Sequence, residues 1–238
     1  MLTDRLPRIP LAYLPTPLEE LPRLTKALGG PRLLIKRDDQ TGLASGGNKA
    51  RKLEFSVAEA LHEGADTLVT VGGVQSNHCR QTAAAAARYG LRCIVVLRGH
   101  APATSNGNLL LDYLLGAQVV FSGDRTRETV AEGVVKEQRA AGRRPYSIPV
   151  GASNEIGSMG FVAAIEELDS QLKEKKLNVD RVVFASSSFG TQAGLCVGAK
   201  AMGFKGQVTA IAIDSSCAEL QAGVAAIANA TIKRLGLK

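Results

Sequence analysis

The sequence predicts an α/β protein with open parallel sheets, and three observations carry that reading. Short β-branched runs alternate with longer helical patterns along most of the chain. Glycines stand just past the ends of five helical stretches, where a left-handed residue commonly closes a helix. Loops rich in glycine, serine and asparagine fall where strands hand over to helices. Strands joined by helical crossovers make a parallel sheet covered by helices.

Taken in order, a strand is expected at 33–36, a helix at 48–63, a strand at 67–71 and a helix at 77–89. A strand at 93–97, a helix at 108–115, a strand at 118–121 and a helix at 127–141 follow. Beyond them lie a helix at 158–175, a strand at 181–185, a helix at 191–201 and a strand at 208–213. The strand segments are short β-branched runs, which read as buried strands. Gly64, Gly90, Gly116, Gly142 and Gly203 are the expected helix caps. The alanine run 83–87 favours a closely packed helix, because alanine combines high helical propensity with little bulk.

With 238 residues the chain can form one large α/β domain or two small ones, and it can bury a core without staples. Hydrophobic residues at 45% and charged residues at 21% are ordinary for a globular protein, which excludes disordered and collagen-like classes. Aromatic residues are only 4%, with no Trp, against a base-stacking nucleic-acid binder. The net charge of +7 is scattered among acids, so a small anion accounts for it as well as a polynucleotide does. Cys79, Cys93, Cys196 and Cys217 show no CxxC spacing, and His62, His78 and His100 form no ligand pattern. Neither a disulfide framework nor a metal site is therefore expected. No apolar stretch reaches the about 20 residues of a membrane span, and the N-terminus has no apolar signal core. A cytoplasmic protein is expected, an organelle after removal of an import peptide being the alternative.

Three loops carry chemistry. In Ser45-Gly46-Gly47-Asn48-Lys49-Ala50-Arg51-Lys52 an amine follows two glycines at a helix start. The glycines allow a tight turn and leave room for a flat ring, while burial and the neighbouring cations Arg51 and Lys52 would lower the amine pKa. A neutral amine there could condense with an aldehyde as a Schiff-base lysine; the alternative is a basic helix start. The second loop, Gly72-Gly73-Val74-Gln75-Ser76-Asn77-His78, ends a strand and opens a helix. Serine and asparagine are leading cap residues, but capping does not need all four polar side chains. The third, Ser186-Ser187-Ser188-Phe189-Gly190-Thr191, joins a strand to a helix N-terminus, where free N–H groups and the dipole suit a phosphate. A serine turn is the plainer alternative. The loop lacks the GxGxxG and GxxxxGK[ST] patterns of nucleotide binders.

These loops, in this order, resemble the pyridoxal 5'-phosphate (PLP) enzymes of the tryptophan-synthase-β type, known as fold type II. Ile35-Lys36-Arg37-Asp38-Asp39, Gly46-Gly47-Asn48-Lys49, Gln75-Ser76-Asn77-His78, Gly107-Asn108-Leu109-Leu110, Ile148-Pro149-Val150-Gly151-Ala152-Ser153-Asn154 and Gly190-Thr191-Gln192-Ala193-Gly194-Leu195 look more closely like the D-cysteine desulfhydrase and 1-aminocyclopropane-1-carboxylate (ACC) deaminase family. The resemblance covers nearly the whole chain. It implies two open parallel-sheet α/β subdomains, a smaller one at about 50–150 and an incomplete larger cofactor subdomain from 1–49 plus 151–238.

By resemblance, Lys49 bonds covalently to PLP and is catalytic. Lys52 and the loop Ser187, Ser188, Phe189, Gly190 and Thr191 hold the phosphate, and Asn77 contacts the ring hydroxyl. Ser76, Asn77 and His78 contact the amino-acid substrate, and Ser76 has a second possible role as a catalytic nucleophile. ACC deaminases usually carry Gln where this chain has His78, which tilts the reading to D-cysteine desulfhydrase. The implied reaction is α,β-elimination of D-cysteine to pyruvate, ammonia and hydrogen sulfide by a homodimer with no membrane or nucleic-acid partner. ACC deaminase and cysteate sulfo-lyase are alternatives in the same fold. Phe189 departs from the small residue usual in the cradle and is expected to point away from it. Family members also continue beyond the position of Lys238, through a tyrosine-bearing substrate loop. The resemblance therefore reads the chain as truncated at its C-terminus, with strand edges left unpaired, and a catalytically impaired cofactor-binding fragment is the remaining alternative.

Overall fold

The computed structural model describes residues 2–237. β1 (Leu18–Glu20) and β2 (Leu34–Lys36) pair antiparallel on either side of α1 (Pro22–Leu28). Next come α2 (Lys49–His62), β3 (Thr67–Gly72), α3 (Asn77–Arg88), β4 (Arg92–Leu97) and α4 (Gly107–Leu114). They are followed by β5 (Gln118–Phe121), α5 (Arg127–Ala140) and β6 (Pro145–Ile148). The strands of this group form a four-stranded sheet in the order β5-β4-β3-β6, parallel throughout. A second parallel pair is made by β7 (Arg181–Ser186) and β8 (Gln207–Ala212), with α6 (Glu155–Glu174), α7 (Gly190–Met202) and α8 (Cys217–Leu235) around them.

The six expected strands and six expected helices are all present. Their ends move by one residue or less, except that α6 begins at Glu155. All five expected glycine caps are left-handed, with φ between 67° and 81°. Four elements were not expected: β1, α1, β6 and α8. β6 starts on Pro145 at the edge of its sheet, a place where the missing N–H is tolerated. α8 buries Leu220, Val224 and Thr231, with Ile227, Ile232 and Leu235 beside them, a helical spacing that the sequence reading passed over. A capping box of Ser216 and Glu219 starts it and left-handed Gly236 ends it.

Glycine also hides the start of α6. Gly157 and Gly160 lower local helix propensity, yet Asn154 caps the helix by accepting from the Gly157 N–H at 2.9 Å. A side chain at Gly160 would collide with the backbone of Arg51 and Lys52, and one at Gly194 would lie 2.7 Å from Phe161 Cβ. Small residues therefore let α2, α6 and α7 pack backbone to backbone. The main core lies between the four-stranded sheet and α2 and α3, and a second lies between α6, α7 and the β7–β8 pair. The start of α2, the end of β3, the 3-10 turn at Val150–Ala152 and the start of α7 meet between them.

Candidate active site

Lys49 is the first residue of α2, behind a loop fastened on both sides. Thr41 Oγ1 accepts from Gly47 N at 2.8 Å and donates to Gly47 O at 2.7 Å. From the other side Arg80 Nη2 and Gln81 Nε2 both donate to Gly46 O, at 2.6 and 2.8 Å. Gly46 and Gly47 take φ of 73° and 126°, conformations that side chains strongly disfavour. Lys49 Nζ donates to Asn48 Oδ1 at 3.1 Å, and burial holds its pKa below the ordinary lysine value.

Lys52 lies three residues on, on the same helix face. It is 0% exposed, and its Nζ donates to Gly151 O at 3.1 Å and Ser153 Oγ at 3.0 Å. Burial first, and the Lys49 charge second, push it well below an ordinary lysine. Among the described residues neither amine has a carboxylate partner.

Arg51 behaves differently from the sequence expectation. It is 1% exposed and donates to Asp38 Oδ1 at 2.8 Å and Glu167 Oε1 at 2.9 Å, with Lys36 also paired to Glu167. Its charge is thus neutralised in a separate cluster, and the lowering at Lys49 comes from burial rather than from Arg51.

The start of α7 closes over Lys52. A Cβ added at Gly190 would lie 2.9 Å from Lys52 Nζ and from Ser153 Cα. Ser153 Oγ donates to Ser188 Oγ at 2.8 Å, while Ser187 Oγ donates to Asp214 Oδ2 at 2.8 Å. Phe189 has φ 66° and packs its ring against Gly223 of α8, in a cluster with Leu220 and Val224. The ring therefore leaves the cradle and only its backbone faces the turn. Thr191 shares with Asn48 the wall of a cavity of about 440 Å³ between β2 and β7. A fully buried and a half-buried amine without a counter-ion, beside a helix N-terminus, suit the charge of a phosphate ester.

The α3 loop is divided in function. Ser76 is the helix cap, its Oγ accepting from Cys79 N at 3.2 Å. Asn77 is exposed at the mouth. His78 is buried, with Nε2 2.7 Å from Thr70 Oγ1, and burial followed by the fields of Lys49 and Lys52 pushes its pKa down to about 3. Its ring is thus a neutral group inside the site wall, away from the exposed mouth where Asn77 stands.

Sequence reading assigned no role to Ser153, Arg80 or Asn108, which the structure joins to this site. Ser153 stands beside Gly151, whose φ of 63° marks a tight turn. Arg80 and Asn108 carry no local signal, since their partners are 34 and 31 residues away.

A lysine behind two glycines, a buried second lysine and a helix start suited to an anion are the groups that a phosphorylated aldehyde cofactor would need. The profile of the pyridoxal-phosphate dependent enzymes matches residues 9–235, and the chain belongs to that family. D-cysteine desulfhydrase of Klebsiella pneumoniae (strain 342) is 44% identical over 240 residues, covering 98% of this chain and 73% of that protein. D-cysteine desulfhydrase of Salmonella newport (strain SL254) is 44% identical over 243 residues, covering 98% and 72%. Among solved structures, an ACC deaminase homologue superposes with a TM-score of 0.93 at 35% identity, over 100% of this chain and 72% of the other. A threonine deaminase from T.th. superposes at 0.67 with 25% identity, over 83% and 59%. The fold is that of type II PLP enzymes. No helix among the described residues is long and apolar enough to cross a membrane.

Proposed function

We propose that the chain is a cytoplasmic, homodimeric PLP-dependent carbon–sulfur lyase that converts D-cysteine and water to pyruvate, ammonia and hydrogen sulfide. The observation that carries this is the pair Lys49 and Lys52, the first half-buried and the second fully buried, both without an acid, with Lys52 against the start of α7. The names of the bacterial relatives support the substrate. The chain divides into a smaller subdomain at about 50–150 and a cofactor subdomain from 1–49 plus 151–238, with the site between.

PLP, when bound, supplies an aldehyde for covalent attachment and a ring that accepts electrons from the substrate Cα. Lys49 is the attachment point, and its burial favours the neutral amine that can afterwards take the Cα proton. Lys52, Ser153, the hydroxyls of Ser188 and Thr191, and the backbone of Ser187, Phe189 and Gly190 would hold the phosphate. Asn77 donates to the ring oxygen. Ser76 and Asn77 meet the substrate carboxylate, and neutral His78 shapes the wall beneath them. With the cofactor bound, Lys49 would take the Cα proton, sulfide would leave from Cβ with the electrons of the broken C–S bond, and water would release the nitrogen as ammonia.

A second reading, ACC ring opening with Ser76 as nucleophile, is favoured by the likeness to the ACC deaminase homologue. One experiment separates them: the visible spectrum of purified protein with PLP, then sulfide and pyruvate release from D-cysteine and keto-acid release from ACC. A cofactor band absent from Lys49→Ala, with sulfide from D-cysteine, is expected. No band in the unmodified protein would sink the cofactor assignment, and a band with no sulfide would sink the substrate.

A further inference from the structure

The Asn77 side chain belongs to a chain of amides whose direction is fixed from inside the protein. Arg80, 7% exposed on α3, donates from Nη1 to Asn108 Oδ1 at 3.2 Å. Asn108 Nδ2 donates to Gln75 O at 2.8 Å and to Asn77 Oδ1 at 2.9 Å. A guanidinium can only donate and a backbone carbonyl can only accept, so the two ends fix which way the Asn108 amide points. Asn108 Oδ1 must face Arg80, Nδ2 must face Gln75, and Asn77 must therefore offer its oxygen to Asn108. Asn77 Nδ2 is left turned outward as a donor.

Arg80 is itself anchored, since its Nη2 donates to Gly46 O in the loop before Lys49. The buried carboxylate of Asp112, which has no hydrogen-bond partner, lies near enough for the two charges to influence one another. One guanidinium thus ties the Lys49 loop to the Asn77 loop and sets the polarity of the latter.

We infer that Asn108, oriented by Arg80 and the Gln75 carbonyl, is a positioning residue that makes Asn77 present an N–H to the anionic ring oxygen of the cofactor. The inference rests on the proposed cofactor site and deepens it. An Asn77 free to rotate would present its carbonyl half the time, placing oxygen against oxygen. A donor favours the ring oxygen without a shared proton, so its loss raises the pH at which the Lys49-bound cofactor band titrates.

The decisive variant is Asn108→Asp, which is acceptor-only, keeps an ionic partner for Arg80 and forces Asn77 to turn its N–H inward. The Asn108 backbone N–H still donates to Gln75 Oε1, now at 2.8 Å, so the two loops remain docked. PLP titrations followed by absorbance should show affinity reduced about tenfold and the band's pH midpoint raised by about one unit. The unfolding temperature of cofactor-free protein should stay within about 3 °C of the unmodified protein, a change of about 1 kcal/mol. Asn108→Ala, which frees Asn77 without adding charge, should move affinity and midpoint the same way by less, and it decides the matter if Asn108→Asp does not fold. Unmodified affinity and midpoint in the folded variants would overturn the inference. Absence of any band in the unmodified protein would instead remove the cofactor reading on which it stands.

Discussion

Lys52 is the residue whose environment is hardest to explain without an anion. A buried ammonium held only by a carbonyl and a hydroxyl is destabilising in the cofactor-free protein. Its folded pKa lies well below 10.5, so the unfolded chain binds more protons in the interval between the two values. Stability from this group is therefore fully present above 10.5 and is lost as pH falls through the folded pKa. Lys52→Met should flatten that slope, leave cofactor-free stability equal or higher, and weaken PLP binding by about a hundredfold, or about 2.7 kcal/mol. Thermal unfolding across pH and a PLP titration measure the parts separately; unchanged PLP affinity would contradict the phosphate role. Arg51, the neighbouring cation, gives the opposite result. Arg51→Met leaves Asp38 without its guanidinium and should cost about 3 kcal/mol in denaturant unfolding. Spacing alone did not show the contrast, since both residues read as cations beside Lys49, and only the family resemblance singled out Lys52 for the phosphate. Helix geometry separates them, turning Arg51 to Asp38 and Glu167 and Lys52 to the cradle.

At the scale of elements, what the sequence revealed and what it concealed divide by how locally each signal is written. β3 was legible because its residues are a short β-branched run, and α3 because Ser76 and Asn77 announce its start. The first turn of α6 was not, because close helix packing needs the same glycines that weaken a helical pattern, whereas α8, with Leu220, Val224 and Ile227 at helical spacing, was simply passed over. The three site loops were found because glycines and hydroxyls concentrate there. The amide relay through Asn108 was not, since only the docking of α4 on α3 creates it. Gly160 tests the packing argument. Gly160→Ala improves helix propensity by about 1 kcal/mol but drives a methyl into the Arg51 backbone. A net loss of about 2 kcal/mol or more is expected from overpacking. Because α2 carries both lysines, PLP affinity should fall as well. A stabilised variant with unchanged affinity would show that α2 and α6 can separate freely.

For the molecule as a whole, these ionisable groups predict the shape of the stability profile of the cofactor-free protein. Burial alone would raise the Glu167 carboxyl, but Arg51 and Lys36 outweigh it and leave it below 4.5. Its contribution is present above that value and is lost as pH falls through the folded pKa. Asp112 acts in the other direction. It is 0% exposed, neither oxygen has a hydrogen-bond partner, and burial pushes its pKa up to about 7 against the field of Arg80. The folded state then binds more protons than the unfolded chain between 3.8 and about 7. Stability from Asp112 is complete below 3.8 and drains away as pH rises through about 7. Against the Asp112 loss stand the gains from His78 and Lys52, whose lowered folded pKa values add stability as pH rises, so substitution is needed to isolate the Asp112 share. Asp112→Asn keeps the shape and removes the charge. Its unfolding temperature should match the unmodified protein at pH near 3.5 and exceed it by about 3 °C or more at pH near 8. Scanning calorimetry at the two pH values decides this. An equal difference at both would mean that Asp112 reaches a partner in solution and is ionised throughout.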